Sequence, residues 1–144
     1  MQKIICGEDS IKHISKILQS VDCKKFLLVC DSSYQYLNIK EGIDGLPFER
    51  TVFNGFTSNP LYEDVCRGVE LFNQESCDTI VAVGGGSSID VAKCVKLYCK
   101  MDTSQNYLTQ EYRDTSVPLI AIPTTAGTGS ESTKYAVIYY EGKK

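Results

Sequence analysis

An apolar strand that runs directly into three consecutive glycines and then into a helix constrains this chain more than any other segment. Residues 80–83 are apolar, residues 84–86 are the glycines, and residues 87–93 have helical spacing. Glycines let a backbone turn sharply and approach a ligand closely, while the N–H groups and positive dipole at the start of a helix attract anions. The segment therefore predicts a phosphate-binding turn, and a nucleotide is the first ligand to consider.

A second apolar strand ends in a loop of small and hydroxyl-bearing residues. Residues 120–122 are apolar, and the loop Pro-Thr-Thr-Ala-Gly-Thr-Gly-Ser-Glu follows at residues 123–131. Backbone N–H groups and threonine hydroxyls can both donate hydrogen bonds to phosphate or ribose oxygens. Two such loops on one sheet indicate one shared nucleotide cleft.

The composition is typical of a soluble, globular chain of one domain. Of its 144 residues, 42% are hydrophobic and 23% charged, and no apolar run approaches the length of a membrane span. The net charge of −3 comes without a dense cluster of Lys and Arg, so we exclude a nucleic-acid partner. The apolar stretch at the start is too short for a secretory signal, and we expect a cytoplasmic protein without a membrane partner.

The cysteines and the histidine argue against a disulfide framework or a metal site. The seven cysteines are an odd set without a C-x-x-C pair, and several lie within apolar runs, so we predict free buried thiols. The only histidine, His13, lies on a predicted helix that is remote in sequence from both loops. We predict a surface or half-buried residue there rather than a metal ligand.

The apolar spacing alternates between short strands and amphipathic helices. Predicted strands cover residues 3–6, 26–30, 50–53, 79–83 and 118–122. Predicted helices follow a cap at Ser10, the Asn59-Pro60 pair and the glycines, and a helix-and-turn region runs through Asn38, Gly42 and Gly45. Asn59 and Pro60 are predicted as the N-cap and first residue of the third helix, whose Leu61 faces the sheet. The alternation predicts an α/β fold, a Rossmann-like parallel sheet with helices on both faces, plus the start of a C-terminal β-hairpin at residues 135–140.

The two loops together resemble the paired signatures of a known family, the iron-containing (group III) alcohol dehydrogenases. The resemblance rests on Gly84-Gly85-Gly86-Ser87-x-x-Asp90-x-Ala92-Lys93, on residues 123–131, and on Asn59-Pro60 as a third landmark. Dehydroquinate synthase and glycerol dehydrogenase are relatives that share the triple glycine, but Ser87 and the Gly-Thr-Gly-Ser-Glu run favour the alcohol dehydrogenase branch. The resemblance implies that residues 1–144 are the N-terminal nucleotide-binding domain of such a fold.

The glycine turn and the strand before it supply the first predicted cofactor contacts. We assign the pyrophosphate to backbone N–H groups of Gly84, Gly85, Gly86 and Ser87; the alternative is a tight turn that binds nothing. Asp31, at the end of strand 26–30, is predicted to accept hydrogen bonds from the adenosine ribose. Its charge would repel a 2′-phosphate, which favours NAD over NADP, although a simple helix cap is the alternative.

The resemblance implies further cofactor contacts. Thr124, Thr125 and Thr128 would line the phosphate and nicotinamide-ribose side of the cleft, and Asn59 would lie near the nicotinamide unless it is only a helix cap. Asp90 would support the site next to Lys93, with a surface ion pair as the alternative. Val137, in the run at residues 131–137, completes the predicted set.

The resemblance also implies an activity. A metal-dependent NAD(P)-linked alcohol dehydrogenase transfers a hydride between nicotinamide and a small alcohol or aldehyde. Fe²⁺ or Zn²⁺ would bind to an aspartate and three histidines of a helical C-terminal domain, so we expect this truncated domain to be inactive alone. Its partners would be that missing domain and, in a homo-oligomer, further copies of the chain.

Two points about function stay open at this stage. Residues 101–112 and 131–137 are similar to phosphonoacetaldehyde reductase-type members of the family, which would make phosphonoacetaldehyde the substrate. From the residues alone, a stand-alone nucleotide or anion-binding module without catalysis is the alternative function.

Overall fold

The computed structural model describes residues 13–124 together with residues 136 and 138. In chain order the elements are α1 (Ile14–Ser20), β1 (Lys25–Cys30), α2 (Lys40–Asp44), β2 (Glu49–Phe53), α3 (Tyr62–Gln74), β3 (Thr79–Gly84), α4 (Gly86–Tyr98) and β4 (Leu119–Pro123). Short 3-10 helices lie at Ser32–Tyr36 and Tyr107–Thr109. The predicted strand at residues 3–6 lies outside the described residues, as does most of the predicted hairpin strand at residues 135–140.

The four described strands form one parallel sheet in the order β2-β1-β3-β4. At the carboxyl ends of the strands, Val29 lies opposite Phe53, and Gly84 lies opposite Pro123. The connection after β1 leads to one side of the sheet and the connection after β3 leads to the other. The crevice between the ends of β1 and β3 is therefore the topological switch point, where open α/β sheets bind their ligands.

Side chains of β1 alternate between two hydrophobic cores, one on each face of the sheet. Leu27 and Val29 belong to the core under α3 and α4, whereas Phe26 and Leu28 belong to the core under α1 and α2. All four side chains are fully buried. A parallel strand that is covered on both faces reads as a continuous apolar run, which is why the sequence predicted β1 and β3 correctly. The predicted parallel sheet with helices on both faces is confirmed.

The start of α3 differs from the prediction. The helix begins at Tyr62, and the Asp64 carboxylate accepts a hydrogen bond of 3.0 Å from the backbone N–H of the N-cap residue, Leu61. Asn59 lies exposed ahead of the helix, and Leu61 is 43% exposed while Tyr62 is buried. The predictions of Asn59 as the N-cap, of Pro60 as the first helical residue and of Leu61 as a core residue are therefore wrong, because Asp64 fixes the first turn at a later residue.

The described cysteines have free thiols, as the sequence predicted. Six cysteines lie within the described part of the chain, and all six are free. Burial raises the pKa of the Cys94 thiol to about 12 and that of the Cys30 thiol to about 11.

Of the helices that the structure describes, none has the length and apolar character needed to cross a bilayer.

Candidate functional site

The glycine turn joins β3 to α4 at the carboxyl edge of the sheet. Gly84 has a φ of +148°, a conformation that residues with a side chain rarely adopt. A Cβ atom at this position would lie 2.5 Å from the Ser88 Oγ and 3.3 Å from the Asp31 Oδ2. Gly85 is the N-cap of α4, with φ −86° and ψ −162°, which other residues can adopt, and Gly86 begins the helix. Of the three glycines, only Gly84 is required by its backbone conformation.

The first turn of α4 faces the crevice as a set of backbone donors. No side chain caps the helix at Gly85, and its first turn contains no acidic residue. The first N–H groups of a helix have no partner within the helix, and the dipole of this 13-residue helix adds positive potential there. This arrangement can bind a phosphate group.

Asp31 lies at the end of β1, beside the turn. One carboxylate oxygen accepts a hydrogen bond of 2.8 Å from the Ser33 backbone N–H and another from the Ser33 hydroxyl. The second oxygen lies 3.4 Å from the Ser88 Oγ. Asp31 therefore caps the 3-10 helix Ser32–Tyr36, which is the alternative that the sequence left open. A carboxylate has about four acceptor positions, so a capping role leaves capacity for a ribose hydroxyl.

The second loop meets the first at the same edge. The Thr124 backbone N–H donates a hydrogen bond of 2.9 Å to the Gly84 carbonyl, which continues the pairing of β3 with β4. The Thr124 side chain is exposed. The other predicted residues of this region, Thr125, Thr128 and Val137, lie outside the described residues.

The segment between β2 and α3, residues 54–60, also contacts the glycine turn. The Ser87 hydroxyl donates a hydrogen bond of 2.5 Å to the Ser58 carbonyl. Asn59 is exposed next to this contact, and its carbonyl accepts a hydrogen bond of 3.1 Å from the Thr57 hydroxyl. The bond to Ser58 was not predictable from residue types, because its acceptor is a backbone atom.

Asp90 and Lys93 lie one turn into α4. Their side chains are 15% and 13% exposed, and the Lys93 Nζ lies 3.9 Å from the Asp90 Oδ1. The sequence left open a surface ion pair as the alternative to a supporting role, but this pair is mostly buried in α4.

A charged cluster beside Asp31 was missed at the sequence level. The Asp44 carboxylate accepts a hydrogen bond of 2.8 Å from the Tyr34 hydroxyl and forms ion pairs of 2.5 Å with Lys40 and 2.7 Å with Arg50. The hydrogen bond from Lys40, then that from Tyr34 and the charge of Arg50, holds the pKa of Asp44 below its ordinary value. These residues and Asp31 line a cavity of about 370 Å³. The i, i+4 spacing of Lys40 and Asp44 is the sequence signal that could have indicated this charged cluster.

The described residues offer no metal centre. Within residues 13–124, 136 and 138, no group of three or more His, Cys, Asp or Glu side chains is arranged to hold a metal ion. His13 is exposed at the start of α1, in agreement with the predicted surface position.

Comparisons of the sequence and of the structure with known proteins both find alcohol dehydrogenases and related oxidoreductases. The family model for iron-containing alcohol dehydrogenase matches residues 1–144. The chain is 33% identical over 150 residues to the NAD-dependent methanol dehydrogenase of Bacillus methanolicus, covering 97% of this chain and 38% of that protein. It superposes on 1,3-propanediol oxidoreductase with a TM-score of 0.83 at 29% identity, covering 94% of this chain and 37% of that one.

A third relative was solved with a cofactor. The sulfoacetaldehyde reductase from Bifidobacterium kashiwanohense, in complex with NAD+, superposes with a TM-score of 0.74 at 25% identity, covering 94% of this chain and 40% of that one. The chain thus spans only 37% to 40% of the length of these three proteins. The match extends over all 144 residues and includes both predicted signature loops, so the chain belongs to the iron-containing alcohol dehydrogenase family.

Proposed function

We propose that residues 1–144 are the NAD-binding domain of an alcohol dehydrogenase, and that the complete protein interconverts a small alcohol and its aldehyde. One observation carries this proposal: an uncapped helix start at α4 and the Asp31 carboxylate lie side by side at the switch point of the sheet. A dinucleotide needs an anion site next to an acceptor for ribose hydroxyls, and this crevice offers both.

Each group has a role in the proposed binding mode. The backbone N–H groups at Gly86 and Ser87 hold the pyrophosphate, and the Asp31 carboxylate accepts hydrogen bonds from the adenosine ribose. Gly85 and Gly86 have backbone conformations that other residues adopt, so their lack of a side chain favours close approach of the phosphate. Thr124 extends the same edge toward the second loop, and Asn59 borders it from the β2 side.

The names of the relatives support the cofactor and the substrate class. One is an NAD-dependent methanol dehydrogenase, one a 1,3-propanediol oxidoreductase, and one a sulfoacetaldehyde reductase in complex with NAD+. We therefore propose NAD as the cofactor, with NADP as the alternative that Asp31 disfavours. Phosphonoacetaldehyde stays a prediction within the class of small aldehydes.

The metal belongs to the part of the protein that we place beyond this domain. A divalent ion such as Fe²⁺ or Zn²⁺ supplies a Lewis acid that polarises the carbonyl oxygen during hydride transfer. The residues of this chain bind the cofactor and orient its nicotinamide.

We also propose a cytoplasmic location, because free cysteines such as Cys30 and Cys94 fit a reducing compartment. Assembly into a homo-oligomer is part of the same proposal.

Calorimetric titration of the full-length protein with NADH and NADPH tests the cofactor site. We expect NADH to bind at least about tenfold more tightly, since the Asp31 charge repels a 2′-phosphate. Asp31→Asn keeps an oxygen for the Ser33 cap but removes the charge, and it should narrow this preference. Asp102→Asn is the matched control, because Asp102 accepts the same pair of hydrogen bonds from Ser104.

The outcomes separate two parts of the proposal. Equal binding of NADH and NADPH by the unmodified protein would remove Asp31 from its ribose role. Failure to bind either cofactor would overturn the assignment of a nucleotide site to this crevice.

A further inference from the structure

The side chains of Ser87 and Ser88, which are neighbours in the first turn of α4, contact different parts of the chain. Ser87 donates to the Ser58 carbonyl at 2.5 Å, while the Ser88 Oγ lies 3.4 Å from Asp31. Successive residues of a helix point about 100° apart, so these two serines face different sides of the glycine turn. Ser58 and the residues around it therefore lie on another side of the turn from Asp31.

This bond crosses the switch point of the sheet. Ser58 follows β2, Ser87 follows β3, and β1 lies between these two strands. Residues 54–60 therefore span the width of β1 between the end of β2 and the turn. Near its start the same segment is held to α3, because the Arg67 guanidinium donates a hydrogen bond of 3.0 Å to the Gly55 carbonyl. Arg67 is itself paired with Asp64 in the first turn of that helix.

A hydroxyl group has one proton to donate. In Ser87 that proton lies between the Oγ and the Ser58 carbonyl, so it is not available to a phosphate oxygen at the same time. The backbone N–H of Ser87 has no such restriction. The side chain and the backbone of this residue can therefore have separate tasks.

We propose that Ser87 is a positioning residue whose hydroxyl holds residues 54–60 against the nicotinamide half of the bound dinucleotide. This inference rests on the proposed function, in which Asp31 binds the adenosine ribose and the turn binds the pyrophosphate. A dinucleotide continues from the pyrophosphate away from its adenosine, so a segment on another side of the turn from Asp31 meets the second nucleoside. Asn59, exposed next to Ser58, is the side chain that the bond places there.

Binding of NADH and of ADP to the full-length protein tests the inference, because ADP has the adenosine and pyrophosphate but no nicotinamide riboside. Ser87→Ala should weaken NADH about fivefold, the equivalent of one hydrogen bond, and change ADP affinity less than about twofold. Ser87→Thr retains the hydroxyl and should restore NADH affinity. Ser20→Ala is the matched control, since Ser20 donates an equivalent bond of 2.6 Å to the Ile17 carbonyl in α1.

Every other outcome overturns the inference in an identifiable way. Equal weakening of NADH and ADP by Ser87→Ala would show that the hydroxyl contacts the pyrophosphate directly. Unchanged NADH affinity, with a loss of thermal stability like that of Ser20→Ala, would show a bond that serves the fold alone. Binding of neither NADH nor ADP by the unmodified protein would overturn the proposed function and this inference with it.

Discussion

At Gly84, both the fold and the candidate site require the absence of a side chain. Its φ of +148° turns the chain from β3 toward α4, and the Ser88 side chain occupies the space that a Cβ atom would need. The same position lies beside Asp31, so a side chain would also intrude on the ribose acceptor. A substitution here changes the backbone and the crevice together.

Gly84→Ala should lower the free energy of unfolding by about 2 kcal/mol, because it adds backbone strain and a close contact with Ser88. Urea unfolding measures the change. Gly42→Ala in α2 is the control: its Cβ would meet no atom within 4 Å, and alanine favours a helix by up to about 1 kcal/mol. Equal stability of the two variants would contradict the strain assigned to Gly84.

The sequence located these residues better than it assigned their contacts. The triple glycine predicted the turn, but the sequence did not indicate which of the three glycines has the positive φ that requires it, which is Gly84. Asp31 has the helix-cap bonds that were left open as an alternative, together with a place beside the turn. Ser58 contributes only a carbonyl oxygen, and no residue-type pattern reports such an atom.

At the scale of elements, the Asp44 carboxylate joins three pieces of the chain. It contacts Tyr34 of the 3-10 helix, Lys40 of its own helix α2, and Arg50 of β2. Its bonds lower the pKa of Asp44 below the ordinary value of 3.8. A carboxylate with a lowered pKa in the folded state stabilises the fold above its unfolded pKa, and this contribution is lost as the pH falls through the folded pKa.

Asp44→Asn should therefore cost about 1 to 2 kcal/mol of unfolding free energy at pH 7, since it removes charge-assisted bonds that are only partly exposed. The difference from the unmodified chain should stay constant down to about pH 4 and shrink in more acidic buffer. Unfolding titrations between pH 7 and pH 2.5 measure it. Glu75→Gln, which removes the exposed ion pair with Lys25, should cost less than about 0.5 kcal/mol at pH 7. A constant difference across the whole range would contradict the role of the Asp44 charge.

Elements with a strong apolar pattern were predictable, and those held by specific polar contacts were not. The buried strands β1 and β3 and the body of α3 follow directly from their apolar residues. The 3-10 helix Ser32–Tyr36 is too short for a periodic signal and depends on the Asp31 cap. The five-residue α2 lies in the predicted helix-and-turn region, but its bounds did not follow from the sequence. The strand order followed from no local feature, because alternation predicts parallel pairing without naming neighbours.

At the scale of the whole molecule, the described residues include the groups of the proposed cofactor site, and no three or more His, Cys, Asp or Glu side chains among them are arranged to hold a metal ion. The crevice between β1 and β3 brings together the Asp31 carboxylate, the glycine turn and Thr124. A catalytic metal site of this kind uses three or four protein ligands, and the sequence contains a single histidine, which is exposed. We propose that cofactor binding and metal binding belong to different parts of the enzyme.

Residues 1–144 alone should bind NADH without reducing small aldehydes when Fe²⁺ or Zn²⁺ is added. A protein extended to the length of the family relatives should gain metal binding and turnover together, because the added residues supply the ligands and close the crevice to water. Anaerobic assays of NADH oxidation, with metal content measured on the same samples, follow both properties. His13→Ala should leave NADH binding by residues 1–144 unchanged, since His13 is exposed at the start of α1 and does not line the cavity beside Asp31. Metal-dependent turnover by residues 1–144 that is lost in His13→Ala would contradict this division of the enzyme into a cofactor domain and a metal domain.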